Sequence, residues 1–285
     1  MTTARLLHLS DLHFGRDNPA LVPALVATAQ ALAPDLTVIS GDLTQRARRQ
    51  QYAAAAALIA ALPGPVLAVP GNHDLPLWNA LARFFTPWRA WTRGLALPLE
   101  PSAETAGLRV AGMNTADPFA WERGRIRIAS LDRACALLST ARPGQLRVVA
   151  LHHPLAMPPG TGKTAMVGAA EAGEALADAG ADILLCGHLH QWAAGPQTLR
   201  EGGRAMLCIQ GGTTLSTRLR GEENDFNLIE HAAGTVTVTR YASAAGRRQF
   251  TPVSTARFRQ ENPARGWAPL PPANPDIRPP AGKTL

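Results

Sequence analysis

PVLAVPGNHD, residues 65–74, is an apolar run that stops abruptly and hands over to an amide, an imidazole and a carboxylate. Its first half has the unbroken aliphatic character of a strand buried on both faces. Gly71-Asn72 is turn chemistry, since both residues tolerate a positive φ. That does not account for His73-Asp74, and a polar loop with a helix N-cap is the plain alternative. The neighbouring segments decide between the two.

Working outward, the same pattern recurs. RLLHLS (5–10), LTVIS (36–40), LRVAGMN (108–114), LRVVALH (146–152) and DILLCGH (182–188) also read as buried strands, with Ala-rich helical stretches at 19–33, 45–62, 130–141 and 168–179. Strand–helix alternation predicts a mainly parallel sheet covered by helices. After residue 200, RAMLCIQ, DFNLIEH and TVTVTRY follow one another without helices, and are expected to form the antiparallel part of a second sheet.

The strand ends carry the chemistry. Ser10-Asp11-Leu12-His13, Ser40-Gly41-Asp42, Gly71-Asn72-His73-Asp74, His152-His153-Pro154 and Gly187-His188-Leu189-His190 each follow a strand. The carboxyl ends of parallel strands lie along one edge, where ligands bind. Asp11 and His13 are two apart, as are His188 and His190, so on extended backbone each pair points one way. Neutral imidazoles and carboxylates are ligands for zinc, manganese and iron. A lone strand-end histidine is usually structural, but six of the eight histidines (13, 73, 152, 153, 188, 190) fall in these groups. His8 lies within the first strand and reads as structural.

The ordered set Asp11-x-His13, Gly41-Asp42, Gly71-Asn72-His73-Asp74, His152 and Gly187-His188-x-His190 resembles the calcineurin-like metallophosphoesterases. LHLSDLHFG, SGDLTQRA, PGNHD, LHHPL and CGHLHQ are most similar to their bacterial class III cyclic-nucleotide phosphodiesterase group. The resemblance implies an α/β fold, a four-layer α-β-β-α sandwich of two mixed sheets. It also implies two metal ions (Mn, Fe or Zn) at the strand ends. Asp11, His13 and His190 would hold one; Asn72, His152 and His188 the other; Asp42 would bridge. His73 would act on the substrate, with Asp74 orienting it. His153 competes with His152 for the ligand role, and His152 is favoured because it ends the strand directly. The implied reaction is hydrolysis of small phosphodiesters such as 3′,5′-cyclic nucleotides by a hydroxide held between the metals. A DNA nuclease, a lipid-linked pyrophosphate or phosphate hydrolase, and a non-enzymatic binding scaffold are the alternatives.

Other segments bear on substrate and setting. PPGTGKT (158–164) fails as a nucleotide-binding P-loop because the first glycine of that pattern falls on Met157, although Lys163 is a candidate phosphate contact. In GGTTLSTRLRGEENDFN (211–227), Thr213, Arg218 and Arg220 are candidate substrate contacts, set against an ordinary polar hairpin. Residues 77–97 hold five of the 15 aromatics, interleaved with Arg83, Arg89 and Arg93. That stretch suits a helix packed on the core, a lid, a homodimer contact or a membrane-surface patch.

The chain of 285 residues carries a net charge of +7 and has no apolar run long enough for a transmembrane segment. From Arg240 on, seven Arg and one Lys face one Glu and one Asp, and seven of the last 24 residues are proline. A phosphoesterase domain is therefore expected over 1–245 and a basic, Pro-rich tail over 246–285. Charge placed in a tail argues against a stable nucleic-acid partner. Three scattered cysteines suit a reducing compartment, and a strand beginning at residue 4 leaves no room for a signal peptide; a cytoplasmic location is expected.

Overall fold

The computed structural model describes residues 3–158, 164–262 and 264–271. Two mixed sheets stack face to face. In the first, β1 (Ala4–Leu9), β2 (Leu36–Ile39) and β3 (Val66–Ala68) run parallel, and β10 (Asn224–Ala232), β11 (Thr235–Ser243), β12 (Thr251–Asn262) and β13 (Gly266–Leu270) extend it antiparallel beyond β1. In the second, β5 (Leu108–Gly112), β6 (Leu146–Ala150), β7 (Ile183–Cys186) and β9 (Met206–Gln210) run parallel, edged by antiparallel β4 (Ser102–Glu104) and β8 (Ala193–Gln197).

Three buried layers explain the unbroken apolar strands. Leu6, Val38, Leu67 and Val69 meet Val110, Val148, Leu185 and Ile209 between the sheets. Leu7, Leu9 and Ile39 face outward onto α1 (Val22–Leu32), α2 (Arg49–Ala61) and α4 (Arg89–Leu95). Val149 and Leu184 do the same against α5 (Ile128–Ser139) and α6 (Ala169–Asp178). Strands covered on both faces have no polar side to alternate with. The result is the expected α-β-β-α sandwich.

Two expectations change. RAMLCIQ is β9, parallel to β7 in the second sheet, whereas DFNLIEH and TVTVTRY are β10 and β11 in the first. The late strands are thus divided between the sheets. Much of the expected tail is also sheet: β12 pairs with β11, and Phe258 and Trp267 enter the inter-sheet core. Pro269 is tolerated because β13 is an edge strand. Residues 272–285, and 159–163 with Lys163, lie outside the described residues.

Residues 77–97 form two short helices, α3 (Ala80–Phe85) and α4, interrupted at Thr86-Pro87. Trp91 is fully buried against Tyr52, while Trp78, Leu81, Phe84 and Phe85 face solvent. Among the described residues, no helix is long and apolar enough to cross a membrane.

Candidate metal centre and active site

The first sheet delivers Asp11, His13, Asp42 and Asn72 from the ends of β1, β2 and β3. The second delivers His152 after β6 and His188 and His190 after β7. All seven are buried.

Their donor atoms converge in two groups. In the first, His190 Nε2 lies 3.1 Å from Asp11 Oδ1 and 3.0 Å from His13 Nε2, which is 3.6 Å from Asp42 Oδ2. In the second, Asn72 Oδ1 lies 3.2 Å from His152 Nε2 and 3.1 Å from His188 Nδ1, and His152 Nε2 is 3.4 Å from the same Asp42 Oδ2. Donors bound to one cation at ~2.0–2.2 Å stand roughly 3.0–3.6 Å apart. The two groups have that spacing and share Asp42. Asp11 Oδ1 is buried without a hydrogen-bond donor, a costly state that a cation would relieve. The donor set therefore fits a dinuclear centre.

The backbone is contorted to achieve this. Asp11 (φ 52°), His13 (φ 51°), Asp42 (φ 52°), His188 (φ 73°) and His190 (φ 55°) all adopt the left-handed conformation. Non-glycine residues reach it rarely, and such strain gathers at functional sites. The extended D-x-H and H-x-H expected from residue spacing is thus corrected: each pair converges through left-handed residues. Close approach explains two glycines. A Cβ on Gly71 would stand 2.2 Å from Asp42 Oδ1, and one on Gly187 1.9 Å from Ser10 Oγ.

Outer partners fix each donor. His152 Nδ1 donates to Ser40 O (2.9 Å), and His190 Nδ1 donates to Arg218 O (3.1 Å). Asp11 Oδ2 accepts from His188 N (3.0 Å) and Ser10 Oγ (2.6 Å). Ser40 Oγ donates to Ser10 Oγ (2.9 Å), so His8 Nε2 must donate to Ser40 Oγ (2.8 Å); Asn227 Nδ2, a donor only, lies 3.4 Å from His8 Nδ1, which suits an unprotonated Nδ1 and a neutral ring. Burial agrees, pushing His8 down to about 3 although Asp11 opposes it. His8 thus ends a buried hydrogen-bond chain to a candidate ligand.

Electrostatics match. Burial opposes ionisation of Asp11, but His190, His13 and His152 hold its carboxyl well below the usual range. Burial also opposes charge on His152, yet Asp42 lifts it to about 9. Cation binding would replace that proton.

His73 is half-buried, its ring edge-on to His13 at 4.9 Å between centroids. Its Nδ1 lies 2.9 Å from Gln45 O and 3.1 Å from Gln45 Nε2, and its Nε2 faces Arg218 Nη1 at 3.3 Å. Asp74 does not orient this ring. Its carboxylate accepts from Leu43 N, Thr44 N, Thr44 Oγ1 and Gly71 N, clamping two loops together. Burial, then the nearby Asp42, lifts Asp74 to about 7. Gln45, overlooked in the sequence, takes the orienting role; one glutamine in a loop gives no signal.

The remaining candidates separate. The Thr213 hydroxyl donates to Asp11 O (2.7 Å), so Thr213 is a buried support. Arg218 lines a cavity beside His73; Arg220 is exposed and is not among the residues lining it. His153 Nδ1 is 2.8 Å from Thr115 Oγ1, whereas His152 Nε2 faces Asp42 and Asn72. His153 Nε2 is buried without a hydrogen-bond partner and falls in one donor group with His152 and His188; the approach to Asp42 and Asn72 is made by His152.

Comparison with known proteins supplies the family. The family model for calcineurin-like phosphoesterases matches residues 4–192. This chain belongs to that family. A stretch of 80 residues is 34% identical to the glycerophosphodiester phosphodiesterase GpdQ of Enterobacter lignolyticus, covering 24% of this chain and 29% of that protein. The alignment thus takes in less than a third of the relative. The fold resembles PhoD (TM-score 0.68, 10% identity, 99% of this chain and 73% of that one). It also resembles purple acid phosphatase PPD1 of yellow lupin, Lupinus luteus (TM-score 0.63, 12% identity, 88% and 53%).

Proposed function

We propose that this chain is a metal-dependent phosphoric ester hydrolase acting on small phosphodiesters. The observation that carries the reading is the pair of donor groups sharing Asp42, with the His73 imidazole beside them. Asp11, His13 and His190 would hold one ion, Asn72, His152 and His188 the other, and Asp42 both. Manganese, iron and zinc all suit these ligands. When bound, two such ions activate water and neutralise charge on the phosphoryl oxygens.

The chain's own residues do the rest. Gln45 fixes the His73 ring with Nε2 turned towards Arg218 and the substrate side, where it serves the phosphoryl or leaving oxygen. Arg218, next to that nitrogen, supplies a second donor to the same anion. Asp74 keeps the loops after β2 and β3 in register, and so holds Asp42 and Asn72 together. Cytoplasmic placement completes the proposal.

Hydrolysis of bis(p-nitrophenyl) phosphate with added Mn²⁺ tests the reaction class; failure with Mn²⁺, Fe²⁺ and Zn²⁺ alike would overturn it. Parallel assays with 3′,5′-cyclic AMP and glycerophosphoethanolamine separate the two substrates favoured by sequence resemblance. The first rests on the motif set, the second on the likeness to GpdQ.

A further inference from the structure

Beside the metal ligands lies a cavity of ≈ 540 Å³ lined by Arg16, Gln45, Arg46, His73, Leu77, Trp121 and Arg218. Its three arginines come from three loops, after β1, β2 and β9. Each loop is tied down through its backbone. Arg16 O accepts from Thr217 N (2.7 Å), Arg46 N donates to Gln51 Oε1 (2.9 Å), and Arg218 N donates to Ser216 Oγ (3.1 Å). None of the three guanidinium groups forms an ion pair with a carboxylate among the described residues. Asp17, next to Arg16, spends Oδ1 on Gly15 N (2.8 Å).

This is more positive charge than a simple diester requires. A phosphodiester carries one negative charge, and that charge belongs with the metal donors and His73. Arg218, 3.3 Å from His73, can serve the same phosphate. Arg16 and Arg46 are left facing a cavity with no anion of the protein's own. Guanidinium groups fit phosphate oxygens through planar paired donors, and loops fixed in advance lower the cost of binding.

The other wall is aromatic. Trp121 is 66% exposed, so its ring is available to a ligand. Its loop is held by Arg83, which is buried and donates to Pro118 O (2.7 Å) and to Ala120 O (2.5 Å), with its guanidinium 5.0 Å from the Trp121 ring centroid. A buried cation used in this way makes Arg83 a positioning residue for Trp121.

We infer that the Arg16–Arg46–Trp121 cavity binds a second anionic group, together with a planar group, on the same substrate whose diester phosphate sits at His73. The substrate class is a phosphodiester with a further phosphate, of which a phosphorylated nucleoside ester is the simplest member. This rests on the phosphodiesterase reading and narrows it.

The probes are thymidine 5′-(p-nitrophenyl phosphate) and its 3′-phosphorylated derivative, which differ by one phosphate. The 3′-phosphorylated ester should show a kcat/KM at least ~10-fold higher, the yield of one added charge-assisted hydrogen bond. Added salt should shrink that ratio. Replacing both exposed arginines (Arg16→Ala with Arg46→Ala) should bring it near one. Trp121→Ala should raise KM for both esters together, because the thymine is common to them; an unchanged KM removes the planar group from the proposal. Arg83→Met should reproduce the Trp121→Ala rise in KM, with circular dichroism confirming the fold.

Calorimetry gives a readout independent of turnover. Thymidine 3′,5′-bisphosphate should bind the Mn²⁺-loaded protein at least ~10-fold more tightly than thymidine 5′-monophosphate. Equal affinity overturns the inference even when no ester is cleaved. If bis(p-nitrophenyl) phosphate is cleaved while the two thymidine esters react equally, the phosphodiesterase reading stands and the second-anion site falls.

Discussion

The loops that carry the metal donors and the helical stretch at 77–97 are both dense in chemically distinctive residues, and they use them in opposite ways. In the donor loops, Asp11, His13, Asp42, His188 and His190 are buried in left-handed backbone, and their side chains converge. In 77–97, one aromatic, Trp91, is driven into the core, while Phe84, Phe85 and Trp78 stay at the surface. Convergence of many polar groups at the cost of backbone strain is evidence of a site; enrichment in one residue type is not. What distinguishes the two regions is whether the fold spends free energy to hold the groups together.

The sharpest way to break the comparison is at Asp42. Asp42→Asn should lower metal content at both positions together and take diester turnover to background, measured by plasma mass spectrometry beside the p-nitrophenyl assay. Loss from one position alone would contradict the shared ligand. His73→Ala comes next. Metal content should be retained, while turnover falls ~10²–10⁴-fold, the usual contribution of a positioned proton donor. An emptied centre in that variant would make His73 a ligand instead.

Stability tests address the aromatic side. Trp91→Ala should cost about 3–5 kcal/mol in urea unfolding, as expected for removing a fully buried indole. His8 yields a smaller, pH-dependent effect. Its folded pKa, about 3, lies below the unfolded value of 6.5, so its stability contribution is complete above pH 6.5 and is lost as pH falls towards 3. At pH 5 the loss should reach about 2 kcal/mol. The pH 7 to pH 5 drop of the metal-free protein should therefore shrink by that amount in His8→Asn; an equal drop would mean that His8 is not the buried neutral group described. Phe85→Ser, at the exposed end of α3, should change stability by less than about 0.5 kcal/mol.

The strands with continuous apolar runs were legible because burial on both faces restricts the choice of residue, and the gathering of Asp, Asn and His at their ends was legible because parallel strands deliver their carboxyl ends to one edge. What sequence could not convey was direction. Spacing placed Asp11 and His13 on one side of an extended chain, whereas left-handed residues achieve the convergence. The resemblance implies that Asp74 orients His73, but its carboxylate accepts from Leu43, Thr44 and Gly71, and Gln45 from the previous loop orients the ring. β8, AAGPQ, has neither alternation nor β-branched residues and is a strand only through pairing with β9. β12 and β13 were hidden by arginine and proline; β13 is the edge strand, where Pro269 costs no ladder bond, while β12 is an inner strand held between β11 and β13.

The pairing of β1 has a consequence for how the protein is made. Its parallel neighbour, β2, follows closely in the chain, but its antiparallel neighbour, β10, pairs Ala4 with His231 and His8 with Asn227. At ~5–20 residues per second, a nascent chain would carry this apolar strand with one open edge for roughly 10–45 s before its partner emerged from the ribosome. An unpaired strand edge is a template for wrong pairing. The segment that presents Asp11 thus has the longest wait between its synthesis and the arrival of its second partner strand, so nascent-chain chaperones have their longest window at the strand on which the candidate metal centre is built.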